Sequence, residues 1–295
     1  MEAPSLHITG MGEMCRLDRC NEGHAVTISL DELVDRVQDG ACVAVAPDYS
    51  GCAMAAVRAL IRRGARDLHL LAVPQAGFQA DMLIGAGCVA SVEAAAITLG
   101  EHGFAPRFSD AVKSGQIVML DATCPAIHAG LQAAEKGIPF MPLRGILGSD
   151  LLTHRDDWQI LDNPFSEGDA IVVLPAIRPD VALFHAAKAD RHGNVWIGVR
   201  RELMLMAHAA SHTLVTVEEI CDDDLLADEA YAAGTIPALY VSAIAEVGNG
   251  AWPVGLAGRY PADAVHLAGY ARLAKTAAGF QQYLDQHIRN RAPAA

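Results

Sequence analysis

A short polar string places several reactive side chains directly after a strand-like run. In Asp121-Ala-Thr-Cys-Pro125, the Asp121 carboxylate follows the apolar residues 117–120 and could act as a general base, orient water or position a substrate. The alternative is that Asp121 caps the next helix, because Asp is a favoured N-cap and Pro125 suits a first helical turn. Cys124 could be a nucleophile near that helix N-terminus, but the sequence offers no assignable histidine partner for it.

Three more loops follow strand-like runs, where an open parallel sheet binds its ligands. They are Pro47-Asp-Tyr-Ser-Gly51, Pro74-Gln-Ala-Gly77 and Arg144-Gly-Ile-Leu-Gly-Ser-Asp150. The same residue types also make ordinary turns. We expect one wall of an active site, at the carboxyl ends of adjacent strands, to be built from Gln75, Asp121, Cys124, Arg144 and Ser149. Arg144 would grip a substrate carboxylate through two hydrogen bonds, and a structural ion pair is its alternative.

Other groupings of polar residues fit no common metal or nucleotide site. His208 and His212 lie four residues apart, but the residues between them lack the glutamate of a zinc hydrolase. Cys15, Cys20 and His24 have no common zinc-site spacing. Walker-type loops and the Gly-x-Ser-x-Gly elbow are absent from the sequence. We therefore expect no metal site, and we interpret the string 190–194 as a tight turn.

The elements that would position these residues alternate between strand and helix patterns. Apolar runs at 41–46, 67–73 and 117–121 are separated by segments of helical spacing, which is typical of a parallel sheet with crossover helices. We expect these three strands to be neighbours or near neighbours, because their composition suits burial on both faces. Further strands are expected at 140–143, 170–174, 181–187 and 213–217, and a closing helical tail at 261–288. The pattern predicts an α/β fold with an open, mostly parallel sheet.

Composition restricts the classes of function. The 295 residues are 52% hydrophobic and 19% charged, as in a packed globular protein, and we expect an extension at 1–28 followed by a single domain at 29–295. A net charge of −13 argues against nucleic acid as a ligand. No apolar run reaches the ~20 residues of a membrane span. Seven scattered cysteines and an N-terminus without a secretory pattern predict a cytoplasmic protein.

Four longer segments carry a family resemblance. They are Gln79-Ala-Asp-Met-Leu-Ile-Gly-Ala-Gly-Cys88, Pro139-Phe-Met-Pro-Leu-Arg-Gly-Ile-Leu-Gly-Ser-Asp150, Pro179-Asp-Val-Ala-Leu-Phe-His-Ala-Ala-Lys-Ala-Asp-Arg-His-Gly-Asn194 and Leu214-Val-Thr-Val-Glu-Glu-Ile220. Together they resemble the alpha subunit of class I coenzyme A transferases, of the glutaconate CoA-transferase type. The similarity runs from about Asp31 to the C-terminal helix. Its most specific parts are Arg-Gly-x-x-Gly-Ser-Asp and Ala-Asp-Arg-x-Gly-Asn.

The resemblance implies a Rossmann-like α/β fold with helices on both faces of the sheet, and a two-subunit enzyme. The catalytic glutamate, which forms an acyl anhydride and then a glutamyl-CoA thioester, belongs to the beta subunit. This chain would therefore lack the nucleophile, and neither Glu218 nor Glu219 would be it. The resemblance also implies an obligate hetero-oligomer in catabolism, with acyl-CoA and a small organic acid as substrates and no tightly bound cofactor.

One departure from the family pattern leaves two alternatives open. The paired glycines of the family are absent after Val45, and Pro47 lacks a backbone donor there. Similar proteins with the same subunit plan are CoA-dependent hydrolases that open a ring in steroid breakdown. They usually carry Glu where Asp121 stands, and Asp121 would then orient water or the carbonyl substrate. The other alternative is a non-catalytic binding subunit.

Overall fold

The computed structural model describes residues 25–289. Its strands in chain order are β1 (Val26–Thr27), β2 (Cys42–Val45), β3 (Leu68–Ala72), β4 (Gln75–Ala76), β5 (Val89–Ala94), β6 (Ala96–Ile97), β7 (Val118–Asp121), β8 (Phe140–Leu143), β9 (Gln159–Asp162), β10 (Ala170–Pro175), β11 (Val181–Ala186), β12 (Lys188–Asp190), β13 (Val195–Trp196), β14 (His212–Val217), β15 (Ile220–Cys221), β16 (Thr235–Ile236) and β17 (Ala243–Glu246). Its α-helices are α1 (Leu30–Asp35), α2 (Met54–Arg63), α3 (Phe78–Gly85), α4 (Pro106–Lys113), α5 (Cys124–Glu135), α6 (Arg201–Ala209), α7 (Glu229–Ala232), α8 (Ala264–Leu273) and α9 (Ala277–Leu284).

Eight parallel strands form the main sheet, in the order β1-β17-β14-β11-β2-β3-β5-β7. From β2 the chain moves outward to β7, and from β11 it moves outward in the other direction to β17. The strand order therefore reverses between β2 and β11, which is where such sheets bind ligands. The predicted proximity of the strands at 41–46, 67–73 and 117–121 is confirmed, since β2 and β3 are neighbours and β7 lies two positions beyond β3.

The central strands send alternate residues into two hydrophobic cores, one on each face of the sheet. Val43 and Val45 pack into one core with Leu60 of α2, whereas Ala44 packs into the other with Phe184 of β11. Strands buried on both faces are typical of parallel sheets covered by crossover helices. The predicted fold class is confirmed.

Local sequence signals set several helix ends. Ser29 and Glu32 form a capping box at the start of α1, in which the Ser29 hydroxyl accepts the Glu32 N–H at 3.2 Å and the Glu32 carboxylate accepts the Ser29 N–H at 2.9 Å. Gly64 ends α2 in a left-handed conformation, with φ +77°. These ends leave short loops that return the chain to the sheet.

Two predicted strands lie outside the main sheet. The strands predicted at 140–143 and 170–174 are present as β8 and β10, but they pair antiparallel with each other, and β10 also pairs with β9, in a separate three-stranded sheet. The prediction that the run at 140–143 continues the parallel alternation is wrong, because an apolar run gives a strand but not its partner or direction. Arg144 and Ser149 consequently follow a strand of the smaller sheet.

The turn predicted at 190–194 is confirmed. It joins β12 to β13, which pair antiparallel. The Asp190 carboxylate accepts the backbone N–H groups of His192 and Asn194, each at 2.9 Å, and the Asn194 amide at 2.8 Å. These hydrogen bonds account for the sequence of this turn without a catalytic role.

Both ends of the described chain differ from the sequence expectation. Val26–Thr27, expected within an N-terminal extension, forms β1 and pairs with β17; Cys15, Cys20 and His24 lie outside the described residues. The tail expected as one helix is interrupted between α8 and α9, where the Thr276 hydroxyl caps α9 by accepting an N–H at 3.0 Å.

Candidate active site

Two cavities that share Tyr49 lie near the carboxyl ends of the central strands, and the second adjoins the reversal of strand order between β2 and β11. Tyr49 belongs to the loop after β2, is 56% exposed and lines both cavities. The first cavity has a volume of about 270 Å³ and the second of about 250 Å³. Their position at the carboxyl ends of the central strands makes them the candidate active site.

The first cavity is acidic. Asp48 and Glu101 line it together with Gln75 and His102, and no lysine or arginine of the described part of the chain does so. Asp48 accepts the Phe78 N–H at 2.8 Å, but burial is the larger effect and raises the pKa of Asp48 to about 6. A ligand anion is disfavoured beside these carboxyl groups.

The second cavity is largely apolar and carries one arginine. Its apolar lining includes the side chains of Trp196, Ile197, Val199, Leu203 and Leu256. The Arg200 guanidinium lies over the Tyr49 ring, with its central carbon 5.7 Å from the ring centroid. The two cavities therefore differ in electrostatic character, although they share Tyr49.

A buried polar cluster adjoins the second cavity, which His185 lines. His185 of β11 is fully buried, with Nε2 2.7 Å from Oε1 of Glu218 and Nδ1 2.8 Å from the Thr216 hydroxyl. Because an ionised carboxylate only accepts, Nε2 carries the proton. The Tyr260 hydroxyl donates to the same Glu218 oxygen at 2.6 Å.

Backbone amides complete the environment of Glu218. The N–H groups of Asn249 and Gly250 donate to its carboxylate at 2.7 and 3.1 Å. Burial alone would raise the pKa of Glu218, but hydrogen bonds from His185, Tyr260 and Asn249 outweigh it and lower the pKa to about 2. Glu218 is thus ionised, and both of its oxygens accept hydrogen bonds.

Two glycines allow loops to pack closely against His185. A Cβ at Gly250 would lie 2.3 Å from a carbon of the His185 ring, and a Cβ at Gly51 would lie 2.2 Å from the His185 carbonyl oxygen. Contacts to His185 and Glu218 thereby hold residues 249–260 against the carboxyl ends of β11 and β14. This segment supplies Val254 to the first cavity and Leu256 to the second.

The loop that carries Tyr49 is anchored on both sides. Buried Ser50 donates its hydroxyl proton to Glu202 of α6. Buried Gln79 donates from its amide to the Ala46 carbonyl, and its own oxygen Oε1 has no hydrogen-bond partner in the described structure. Tyr49 is therefore the exposed member of a fixed loop.

Of the five residues predicted for the site, Gln75 lines the first cavity and the other four lie outside both. Asp121 is exposed at the end of the edge strand β7, where its carbonyl accepts from Arg155 at 3.1 Å. It does not cap α5, because the Thr123 hydroxyl accepts the first-turn N–H at 3.2 Å. Cys124 is exposed at the first residue of that helix.

Arg144 and Ser149 have local structural contacts. Arg144 forms an exposed ion pair with Asp169, as its structural alternative required. The Ser149 hydroxyl caps the short helix Asp150–Thr153 by accepting the Leu151 N–H at 3.2 Å. The expected convergence of all five residues on adjacent strands of one sheet is therefore corrected, since these two follow the antiparallel sheet.

Four residues of the site are not among the five predicted from the sequence: Tyr49, His185, Arg200 and Glu218. One usable signal was present, because His185 interrupts an apolar strand and Glu218 directly follows the neighbouring parallel strand. Polar residues near the carboxyl ends of paired parallel strands lie close together at the same end of the sheet.

His208 and His212, which lie in the described part of the chain, belong to no metal cluster there. His208 Nδ1 lies 3.0 Å from Oε1 of Glu135. Within residues 25–289, no group of three or more His, Cys, Asp or Glu side chains is arranged to hold a metal ion. No helix in this range has the length and apolar character needed to cross a membrane.

Comparison with known proteins identifies the family. A family model for Coenzyme A transferase matches residues 27–247. One subunit of 3-oxoadipate CoA-transferase from Pseudomonas knackmussii is 34% identical, over 90% of this chain and 94% of its own. The corresponding subunit of glutaconate CoA-transferase from Acidaminococcus fermentans is 31% identical, over 79% and 78%. The crystal structure of glutaconate CoA-transferase from that organism superimposes with a TM-score of 0.84 at 27% identity, over 90% of each chain. The chain belongs to the coenzyme A transferase family, as the sequence resemblance indicated.

Relatives with other activities share the fold. The cholesterol ring-cleaving hydrolase IpdA subunit of Rhodococcus jostii is 28% identical over 88% of this chain and 91% of its own. The crystal structure of a variant of the decarboxylase AibA/AibB has a TM-score of 0.76 at 30% identity, over 89% and 99%. An Archaeoglobus fulgidus protein is 30% identical over 94% of this chain, which spans 62% of that relative's length. Activity must therefore be argued from the site.

Proposed function

We propose that this chain is the alpha subunit of a heteromeric acyl-CoA:carboxylate CoA-transferase and forms the acid-binding wall of its active site. This proposal rests on the hydrogen bonds that the nearby carboxylates already accept. Glu218 accepts from four donors, Glu202 accepts from Ser50, and Asp48 accepts from the backbone. None of the three is free to attack a thioester. Together with the family resemblance, this supports a nucleophilic glutamate on a beta subunit.

The proposed reaction needs only that glutamate and the two substrates. The partner's glutamate attacks the thioester carbonyl of acyl-CoA, the C–S bond breaks, and a mixed anhydride and CoA thiolate form. The thiolate then attacks the glutamyl carbonyl and releases the first acid as a carboxylate, which leaves a glutamyl-CoA thioester. A second acid reverses both steps and leaves as its CoA thioester. This chain contributes by orienting the acid.

We further propose that the enzyme is cytoplasmic, acts in catabolism and uses CoA thioesters without a tightly bound cofactor. Unpaired cysteines support a reducing compartment: Cys42, Cys52, Cys88, Cys124 and Cys221 are all free. Burial raises the pKa of the Cys42 and Cys88 thiols, to about 12 and about 11, so these two are unreactive.

The test is co-purification with the beta subunit, followed by exchange assays between acyl-CoA and a panel of labelled acids. We expect the complex to transfer CoA, and enzyme isolated after incubation with acyl-CoA to carry a hydroxylamine-sensitive thioester on the partner. Turnover by this chain alone, or hydrolysis of acyl-CoA at the same rate with and without acceptor acid, contradicts the proposal.

A ring-opening hydrolase is the second candidate, supported by the Rhodococcus jostii relative and by Asp121, whose carboxylate is exposed at a strand end. The Asp121→Asn variant separates the two functions, because Thr123, not Asp121, caps α5. Catalysis through Asp121 predicts a loss of at least ~10²-fold in rate, typical of a positioned acid or base. A transferase that uses the two cavities predicts a rate within a few-fold of the parent. A partner-bound complex with neither activity would indicate a binding subunit.

A further inference from the structure

The second cavity contains a positive charge that no acidic side chain of the described residues neutralises. Arg200 lines this cavity and is half-buried. Among residues 25–289, its guanidinium forms no ion pair, and its aromatic contact is the ring of Tyr49. By contrast, Arg144 is paired with Asp169 and Arg155 with Glu93. Arg200 is therefore available to a ligand.

The surroundings of Arg200 strengthen its attraction for an anion. The cavity wall is formed largely by aromatic and aliphatic side chains, including Trp196, Ile197, Leu203 and Leu256. A charge beside apolar groups interacts more strongly with an opposite charge than it does in water. The planar guanidinium fork also matches a carboxylate, with which it forms two parallel hydrogen bonds.

The first cavity offers the opposite environment. Its Asp48 and Glu101 repel an anion, and no lysine or arginine of the described chain lines it. Tyr49 lines both cavities, so a ligand with one anionic end that binds beside this ring favours the second cavity. The volume of about 250 Å³ lies below the ~300–1,000 Å³ of pockets for drug-sized ligands. It suits a small organic acid.

We propose that Arg200 and Tyr49 form a subsite for the remote carboxylate of a dicarboxylic acyl group. The carbon chain lies against the apolar wall, and the second carboxyl group is left for exchange at the partner's glutamate. This inference rests on the proposed function, since it identifies which part of the acid this wall binds. It makes Arg200 the residue that selects dicarboxylic over monocarboxylic acids.

The test compares acids of equal length in the reconstituted two-subunit enzyme, with glutarate and pentanoate as probes. For Arg200→Gln, we expect kcat/KM for glutarate to fall about 10- to 100-fold, mainly through KM, as for the loss of hydrogen bonds to a charged group. Pentanoate stays within about 3-fold, because it lacks the remote charge. Arg200→Lys keeps the charge without the fork and gives an intermediate loss.

Arg201→Gln is the matched control. Arg201 is the next residue, is exposed, and donates to the Ala233 carbonyl at 3.1 Å instead of lining the cavity. We expect it to leave the kinetics with both acids unchanged. Circular dichroism of each variant checks that the fold is retained.

Three outcomes in an active complex overturn the subsite. Equal losses with both acids, or weaker binding of CoA by Arg200→Gln, would show that the arginine binds a CoA phosphate or supports the fold. Better parental turnover of pentanoate than of glutarate would show that no remote carboxylate is bound. If the complex transfers CoA to no acid, the proposed function fails. Calorimetric binding of glutarate to parent and Arg200→Gln then decides the subsite separately.

Discussion

Replacing Glu218 with glutamine tests whether one carboxylate holds a wall common to both cavities. In the parent, one oxygen of Glu218 accepts from His185, Tyr260 and Gly250, and the other accepts from Asn249 at 2.7 Å. A glutamine side chain of the same shape has only one accepting oxygen. If that oxygen faces the three donors, its NH₂ group faces the Asn249 N–H, and neither can accept.

The Glu218→Gln variant weakens the hydrogen bonds that this side chain accepts. The Asn249 contact is exposed, so water can replace its acceptor, but the three hydrogen bonds to the other oxygen each lose about 1 kcal/mol without a charged acceptor. The pKa of Glu218 lies at about 2 instead of 4.5, which corresponds to about 3 kcal/mol at about 1.36 kcal/mol per pH unit. Its side chain is only 12% exposed, so solvent screening is weak. We expect a loss of about 3 kcal/mol in the free energy of unfolding.

Urea unfolding followed by far-UV circular dichroism measures this loss. The matched control is Glu219→Gln, since Glu219 is the neighbouring carboxylate, is 47% exposed and pairs with Arg259 at the surface. We expect the control to lose less than about 1 kcal/mol, as is usual for a surface ion pair. Equal losses in the two variants, or a loss below about 1 kcal/mol for Glu218→Gln, would refute the anchoring role.

The same comparison has a defined pH dependence. The folded-state pKa of Glu218 is depressed, so its contribution is fully present above the ordinary value of 4.5 and is lost as the pH falls towards about 2. The stability difference between parent and Glu218→Gln should therefore be constant near neutral pH and shrink across this acidic window. A difference that instead grows on acidification would contradict the assignment.

Two further substitutions test packing and charge around the site. Gly250→Ala would place a Cβ 2.3 Å from the buried imidazole beneath it and should cost at least about 3 kcal/mol in thermal or urea unfolding; Gly248→Ala, with open space, should stay within about 1 kcal/mol. Arg155→Met removes the arginine that pairs with the buried Glu93 carboxylate and should cost about 3–5 kcal/mol, whereas Arg144→Met breaks an exposed pair and should cost below about 1 kcal/mol. Equal effects within either pair of variants would contradict the burial-based argument.

The sheet was predictable where burial leaves a direct trace in the sequence. The runs at β2 and β3 are apolar at successive positions because both faces are covered, and their partners follow along the chain after one helix. The runs at β8 and β10 are also apolar but pair antiparallel, and β8, which contains Pro142, is only partly buried. An apolar run therefore indicates a strand, whereas its burial, partner and direction depend on how the intervening chain folds.

The site was less predictable because its contacts span long stretches of sequence. Glu218 contacts Asn249 and Tyr260, which lie 31 and 42 residues further along the chain, so no local spacing marks them. Arg144 and Arg200 both follow strand-like runs near glycines, and nothing local distinguishes them. Only the folded structure shows that Arg144 has a carboxylate partner and that Arg200 has none among residues 25–289.

The anchor and the subsite have separable effects on the reaction. Glu218 holds the segment that supplies Val254 to one cavity and Leu256 to the other, so its loss disturbs the walls that any acid contacts. Arg200 acts on one charged group of one class of acid. Glu218→Gln should therefore lower kcat/KM for glutarate and pentanoate alike, whereas Arg200→Gln should lower it for glutarate alone. Kinetics with these two acids thus distinguish Glu218, which positions the cavity walls, from Arg200, which binds the remote carboxylate, even where both variants fold.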